Sequence, residues 1–249
     1  ALRRDYSFRL VTLAGGAKYN AITREASAEL VLADSVSTSA FREAVRAEET
    51  VLRNEYAGTD PSLSFTTKVV DSGAAALTAE STEKVLGLME AVPYGVQRMS
   101  ADLEGLVETS VNLGITELSA ETFTLKYSVR SSVATAFRAV VDKIEFVASC
   151  FGASSAVHSV YPAWEYVRES AFRDEAAAIY RELFGKELSV QAIHAGLECG
   201  ILSGKIKNLD AVSIGPDMKD IHTPEERLNI PSTKRVYDFV VKIIEHKSK

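Results

Sequence analysis

Two cysteines are all the chain has in 249 residues, Cys150 and Cys199, and neither sits in a Cys-x-x-Cys pair. That is too few for a disulfide framework and points to a reducing, cytoplasmic setting. No apolar run approaches the ~18 residues a membrane-crossing helix needs. The basic start, Ala1-Leu-Arg-Arg-Asp, leads into alternation and not into the apolar core of a signal peptide. Positive charge is short as well: 28 Lys and Arg face 34 Asp and Glu, for a net charge of −6. Neutralising phosphates takes a concentrated basic face, and no such stripe is present. Neither nucleic acid nor a membrane is therefore an expected partner. Histidine is also scarce, with four in all, whereas a stable zinc site takes three or four ligands. The remaining composition, 46% hydrophobic and 25% charged, suits an ordinary globular protein with one extended core or two.

The hydrophobic pattern changes period along the chain. Residues 5–13 alternate, with Tyr6, Phe8 and Leu10 on one side, and run into the turn Ala14-Gly15-Gly16. Residues 20–33 resume the alternation, so the two read as an antiparallel pair. Residues 37–57 switch to helical spacing, with Phe41, Ala44, Val45, Leu52 and Tyr56 on one stripe. Residues 62–70 return to a strand pattern. A second helix is predicted over 78–89, opened by Thr78 with Glu80 and Glu83 near its positive end.

The order then recurs. Strands are predicted over 105–118 and 121–131 around Ser119-Ala120, an amphipathic helix over 134–148, and a strand over 153–160. Strand, strand, helix, strand thus appears twice in 160 residues, which suggests two similar lobes, each an antiparallel sheet with helices on one face. Beyond Tyr161-Pro-Ala-Trp164 helices and strands alternate. A helix over 165–184 is closed by Gly185, strands are predicted over 188–194 and 211–214, a short helix over 197–202 and a terminal helix over 232–246. Two strands cannot make a well-covered parallel sheet, so this α/β portion reads as part of a larger sheet.

The most informative run is Gln191-Ala-Ile-His-Ala-Gly-Leu-Glu-Cys-Gly200, followed by Ser213-Ile-Gly-Pro216 and Ile221-His-Thr-Pro-Glu-Glu226. His222 lies in a loop stiffened by Pro224, as suits a zinc ligand, although a loop histidine bonded to a carbonyl has the same sequence. His194 reads as a packed or supporting histidine, and His158 and His246 as incidental. Gly196 and Gly200 flank Glu198 where a strand passes into a helix. They either let backbone N–H groups approach an anionic group or simply make a tight turn. Arg130 ends a strand, where its guanidinium can fork onto a carboxylate or serve as ordinary surface charge. Asn20 and Asn112 begin comparable strands, and a turn-forming Asn needs no function.

Taken in order, several segments resemble one family. They are Gly15-Gly16 with Asn20-Ala-Ile and Arg24-Glu-Ala26, Val107-Glu-Thr-Ser-Val-Asn-Leu-Gly114, Val129-Arg-Ser-Ser132, Tyr161-Pro-Ala-Trp164, Ile193-His-Ala-Gly-Leu-Glu-Cys-Gly200, Ser213-Ile-Gly-Pro216 and His222-Thr-Pro-Glu-Glu226. The set is similar to the aminoacyl-histidine dipeptidases (Xaa-His dipeptidases, PepD-like), cytosolic dizinc exopeptidases related to the carnosinases. The resemblance implies a two-lobed α+β lid over residues 1–160, with lobes of about 1–90 and 91–160. It further implies that 161–249 is the C-terminal part of the split α/β catalytic domain. The family's first metal histidine, bridging aspartate and general-base glutamate belong to an N-terminal half that no segment here matches.

On this resemblance His222 is a metal ligand and Arg130 holds the substrate's terminal carboxylate. Asn20, Asn112, Gly196 and Glu198 lie near substrate, and no catalytic residue is in the chain. Thr23 stands where the family often has Pro, which is expected to loosen a turn. The implied cofactor is zinc, two ions in the intact enzyme, and the implied substrate a dipeptide. The missing N-terminal catalytic half is the implied partner, the chain alone is expected to be inactive, and a homodimer stays open. Two other readings are a non-catalytic interaction or assembly module and a related dizinc amidohydrolase such as a deacylase.

Overall fold

Strand β1 (Phe8–Gly15) pairs antiparallel with β2 (Ala26–Leu32), with a bulge between Leu10 and Thr12. The computed structural model describes residues 1–71, 73–191, 197–221 and 223–248. The other edge of β1 is completed in two ways. Near its end, Leu13, Ala14 and Gly15 face Leu118, Glu117 and Thr116 of β4 (Val107–Leu118). At Leu10 no strand takes the edge: the Leu10 N–H donates to Thr82 Oγ1 at 3.2 Å, and the Leu77 N–H donates to the Leu10 carbonyl at 2.7 Å. A buried strand edge needs such partners, and here a helix start supplies them.

That helix is α2 (Ala79–Ala91), capped by Thr78, whose hydroxyl accepts the Ser81 N–H. Before it comes α1 (Thr38–Glu55), capped by Ser37. The remaining strands are β3 (Gly95–Met99) and β5 (Phe123–Ser131), giving the sheet order β2-β1-β4-β3 with β5 also paired to β4. The two predicted strand pairs thus share one five-stranded sheet. Helix α3 (Ala134–Cys150) follows β5.

Two compact units are present. The first comprises Ala1–Gly95, Val111–Val129 and Val140–Ser155. Its core gathers Leu10, Val85 and Leu118, with Leu13, Leu30, Leu77, Leu86 and Phe123 packed around them. Phe41 of α1 receives Tyr6 and Phe8 edge-on, at centroid separations of 5.4 and 6.0 Å.

The second unit comprises Val96–Ser110, Arg130–Ala139 and Ala156–Lys249. It contains α4 (Ala171–Phe184), α5 (Glu198–Lys205), a hairpin of β6 (Met218–Lys219) and β7 (Arg227–Leu228), and α6 (Ile230–Lys247). Ala176 and Ile179 of α4 bury against Phe239 and Ile243 of α6, and Tyr180 meets Phe239 edge-on at 5.3 Å. Gly185 ends α4 at φ +63°, the left-handed stop for which glycine is suited.

Several expected elements are absent. Residues 62–70 form no strand; the segment is held by α1 side chains, with the Phe65 N–H on the Glu49 carboxylate at 3.1 Å and Arg42 Nε on Thr67 Oγ1 at 3.2 Å. Residues 153–160, 188–191 and 211–214 are not strands either, and 192–194 lie outside the described residues. Alternation makes a strand only where another strand takes the hydrogen bonds. Helix α4 begins at 171, not 165, because Ser170 caps Arg173 and the Arg173 guanidinium donates to the carbonyls of Val167 and Arg168.

Candidate functional site

In the first unit, the loop between β1 and β2 carries Asn20, exposed to solvent. Its base is closed by the Gly16 N–H on the Glu25 carbonyl at 3.2 Å, and the Ala21 N–H turns back to the Lys18 carbonyl at 3.2 Å. The loop rests on the middle of β4. Asn112 Nδ2 donates to the carbonyls of Tyr19 and Ala21, at 3.1 and 2.9 Å. Thr23 Oγ1 lies 3.2 Å from the Leu113 carbonyl and 3.4 Å from that of Gly114. The fit leaves no room for larger residues. A Cβ on Gly114 would stand 2.3 Å from the Tyr19 carbonyl oxygen, and one on Gly16, at φ +75°, only 1.9 Å from that of Gly114. Asn20 and Asn112 are therefore brought together through the backbone on either side of Asn20. The expectation that Thr23 loosens this turn is corrected: its hydroxyl fastens the loop to β4, a bond proline cannot make.

Arg130 is exposed near the end of β5. The strand end beside it is pinned by buried polar groups of the second unit. Thr109 and Ser131 share a hydroxyl–hydroxyl bond of 2.9 Å, Ser131 Oγ donates to the Val133 carbonyl, and the Ser132 N–H donates to the Glu108 carbonyl. The Glu108 carboxylate, 6% exposed, lies 3.3 Å from Arg98 Nε and 3.3 Å from Thr109 Oγ1. Burying a carboxylate demands such partners, and they fix the stretch from which Arg130 projects. Tyr127, on the same strand, has a buried phenol oxygen with no partner among the described residues. Burial pushes its pKa upward, so it stays neutral.

Glu198 opens α5 and is exposed, its charge matched to the positive helix end. Gly200, two residues on, is explained by packing. A Cβ there would meet the Pro162 carbonyl oxygen at 2.9 Å and Trp164 Cβ at 3.3 Å, and one on Gly204 would meet the Pro162 ring at 2.8 Å. The two glycines make a flat helix face for Pro162-Ala-Trp164. Gly196 and His194 lie outside the described residues.

The β6–β7 hairpin is held by its own side chains and by α6. The Asp220 carbonyl, from a residue at φ +54°, accepts both the Thr223 N–H and its hydroxyl, and Arg227 pairs with the Asp220 carboxylate. The Asn229 N–H donates to the Asp217 carbonyl and the Asp217 N–H to Ser232 Oγ, which ties the hairpin to the start of α6. His222 itself lies outside the described residues. Among the described residues no three of His, Cys, Asp and Glu come together to hold a metal ion.

One further group anchors the second unit. Asp210 accepts the Ser170 hydroxyl at 2.6 Å and the Phe172 N–H at 2.9 Å. The Ser170 hydrogen bond, then the Phe172 N–H and the charges of Arg173 and Lys247, hold its carboxyl below the usual aspartate value. Asp210 and Gly114 carry no signal in the sequence as supporting residues, and Thr23 is legible there only as a departure from proline. Gly114 closes one of the family-like segments and Thr23 sits between two others, but nothing in one dimension shows that those segments touch.

No protein-family model matches the chain. It is 31% identical over 242 residues to the cytosol non-specific dipeptidase of Escherichia coli (strain K12), which covers 97% of this chain and 50% of that protein. It superposes on the crystal structure of aminoacylhistidine dipeptidase from Vibrio alginolyticus with a TM-score of 0.88 and 28% identity, over 98% of this chain and 49% of that one. The chain is a relative of the PepD-like dipeptidases. It spans about half the length of the relatives it matches. The aminopeptidase PepT structure from Bacillus cereus shares the fold alone, with a TM-score of 0.52 at 20% identity over 70% of this chain. The architecture is accordingly an α+β peptidase-type fold of antiparallel sheet and helices. No helix among the described residues is long and apolar enough to cross a membrane.

Proposed function

We propose that this chain supplies the C-terminal half of a cytosolic, zinc-dependent dipeptidase that hydrolyses Xaa-His dipeptides. Residues 1–160 form its lid, in lobes of about 1–90 and 91–160, and 161–249 complete the catalytic domain. The observation that carries the reading is the similarity of nearly the entire chain, 97%, to half of one dipeptidase. Shared length of that order reflects a common fold and not a borrowed motif.

In this reading Arg130 receives the free carboxylate of the substrate. A guanidinium presents parallel N–H donors that match a carboxylate's two oxygens, and the Glu108–Thr109–Ser131 network supports the strand from which it extends. Asn20 lies beside the substrate backbone. His222 contributes one ligand to the two zinc ions of the intact enzyme, and the other ligands and the proton-accepting glutamate come from the other half. The chain alone is then inactive.

Two assays test this. The purified chain, supplied with zinc, should leave β-alanyl-histidine and other dipeptides intact and retain well under one zinc per chain after desalting. A protein of the relatives' full length that carries this chain should cleave them, with preference for a C-terminal His. Turnover by the chain alone would overturn the half-site reading, and a preference for N-acyl amino acids would make the enzyme a deacylase.

A further inference from the structure

We infer that Asn112 is a positioning residue: it holds the 17–23 loop in the shape that offers Asn20 to the substrate, and does not itself bind substrate. The inference rests on the dipeptidase reading for what the loop contacts, and on geometry alone for how the loop is held.

A side-chain amide has two N–H donors on one nitrogen and an acceptor oxygen. Both known bonds of the Asn112 nitrogen go to backbone carbonyls of the loop, at 3.1 Å to Tyr19 and 2.9 Å to Ala21. These residues are the immediate neighbours of Asn20, so one side chain pins the chain on both sides of that position. The nitrogen then has no donor left for a ligand. Three further features bring the same loop to the same stretch of β4. They are the Thr23 hydroxyl on the carbonyls of Leu113 and Gly114, the close approach of Lys18 and Tyr19 to Gly114, and the approach of Gly16 to the Gly114 carbonyl. The loop that results is exposed at Lys18, Tyr19, Asn20, Ile22 and Arg24. Its outward side chains are thus presented by a backbone fastened from beneath, so the ordering cost of recognition is met before substrate arrives.

Asn112→Asp keeps the shape but turns an oxygen toward two carbonyl oxygens, which removes both bonds and adds repulsion. Lys18 and Arg24 make the loop a trypsin substrate, and cleavage reports the population of its open form. We expect the purified 249-residue chain carrying Asn112→Asp to be cut after Lys18 or Arg24 about tenfold faster than the unaltered chain. Thr23→Val, which loses one hydroxyl, should be cut about threefold faster and serves as the test if the first variant does not fold. In the full-length enzyme Asn112→Asp should raise KM, and the double variant with Asn20→Ala should be no weaker than Asn20→Ala alone. Unchanged cleavage at both bonds in the folded variants would overturn the anchoring. Effects on KM that multiply in the double variant would overturn the indirect role and make Asn112 a substrate contact. If the full-length protein hydrolyses no dipeptide, the functional reading falls, and the proteolysis still decides whether Asn112 holds the loop.

Discussion

Replacing Gly200 with alanine sets two effects of opposite sign against each other. Alanine is favoured over glycine inside a helix by about 1 kcal/mol, because glycine loses more backbone freedom on folding. Against this, the added methyl would stand 2.9 Å from the Pro162 carbonyl oxygen, 3.3 Å from Trp164 Cβ and 3.6 Å from the Trp164 nitrogen. Two of the three atoms are backbone, so a rotamer change cannot relieve the contact. The helix or the 162–164 segment must move by several tenths of an ångström. Overpacking of this kind costs roughly 1–3 kcal/mol, which outweighs the gain. We expect Gly200→Ala to be destabilised by about 1 kcal/mol. Trp164 is the only tryptophan, so urea unfolding followed by its fluorescence reports on this contact. A variant more stable than the parent by about 0.5 kcal/mol or more would show that helix propensity wins. The glycine would then need another explanation.

Two more outcomes follow from the packing. Thr82→Val should destabilise the first unit by about 1–3 kcal/mol, because it leaves the Leu10 N–H without its acceptor beside a residue 1% exposed; Thr82→Ser, measured by denaturant unfolding, should recover most of the loss. Asp210 has a lowered pKa in the folded chain, so its contribution is present in full above the ordinary aspartate value of 3.8 and is lost as pH falls through the folded one. Thermal unfolding of Asp210→Asn should accordingly lose part of the acid sensitivity of the parent, and an unaltered pH profile below about 4 would refute the assignment.

Legibility in the sequence followed the range of the forces involved. Thr78 was readable as a helix opener, and Gly185 as a stop, because capping joins residues three or four apart. The pairing of β1 with β2 was readable from alternation on both sides of Gly15-Gly16. Residues 62–70, 153–160 and 211–214 carried a similar apolar pattern yet form no strands, since nothing in the pattern says whether a partner strand is at hand. Strand β3 and the β6–β7 hairpin escaped notice because five residues and two residues are too short for a period to show.

The site divides along the same line. Asn20, Asn112, Arg130 and Glu198 stand out by residue type and by resemblance, and both are properties of the chain in one dimension. That Asn112 reaches across more than ninety positions to the carbonyls beside Asn20 is a fact of tertiary structure. So is the close seat that Gly200 makes for Pro162. Sequence by itself determined the helices, the first strand pair and the kinship with dipeptidases, because local propensity and residue order suffice for these. Tertiary structure alone decided which loop lies on which strand and which glycines are there for want of space, because hydrogen bonds and steric contacts depend on distance in three dimensions and not on separation along the chain.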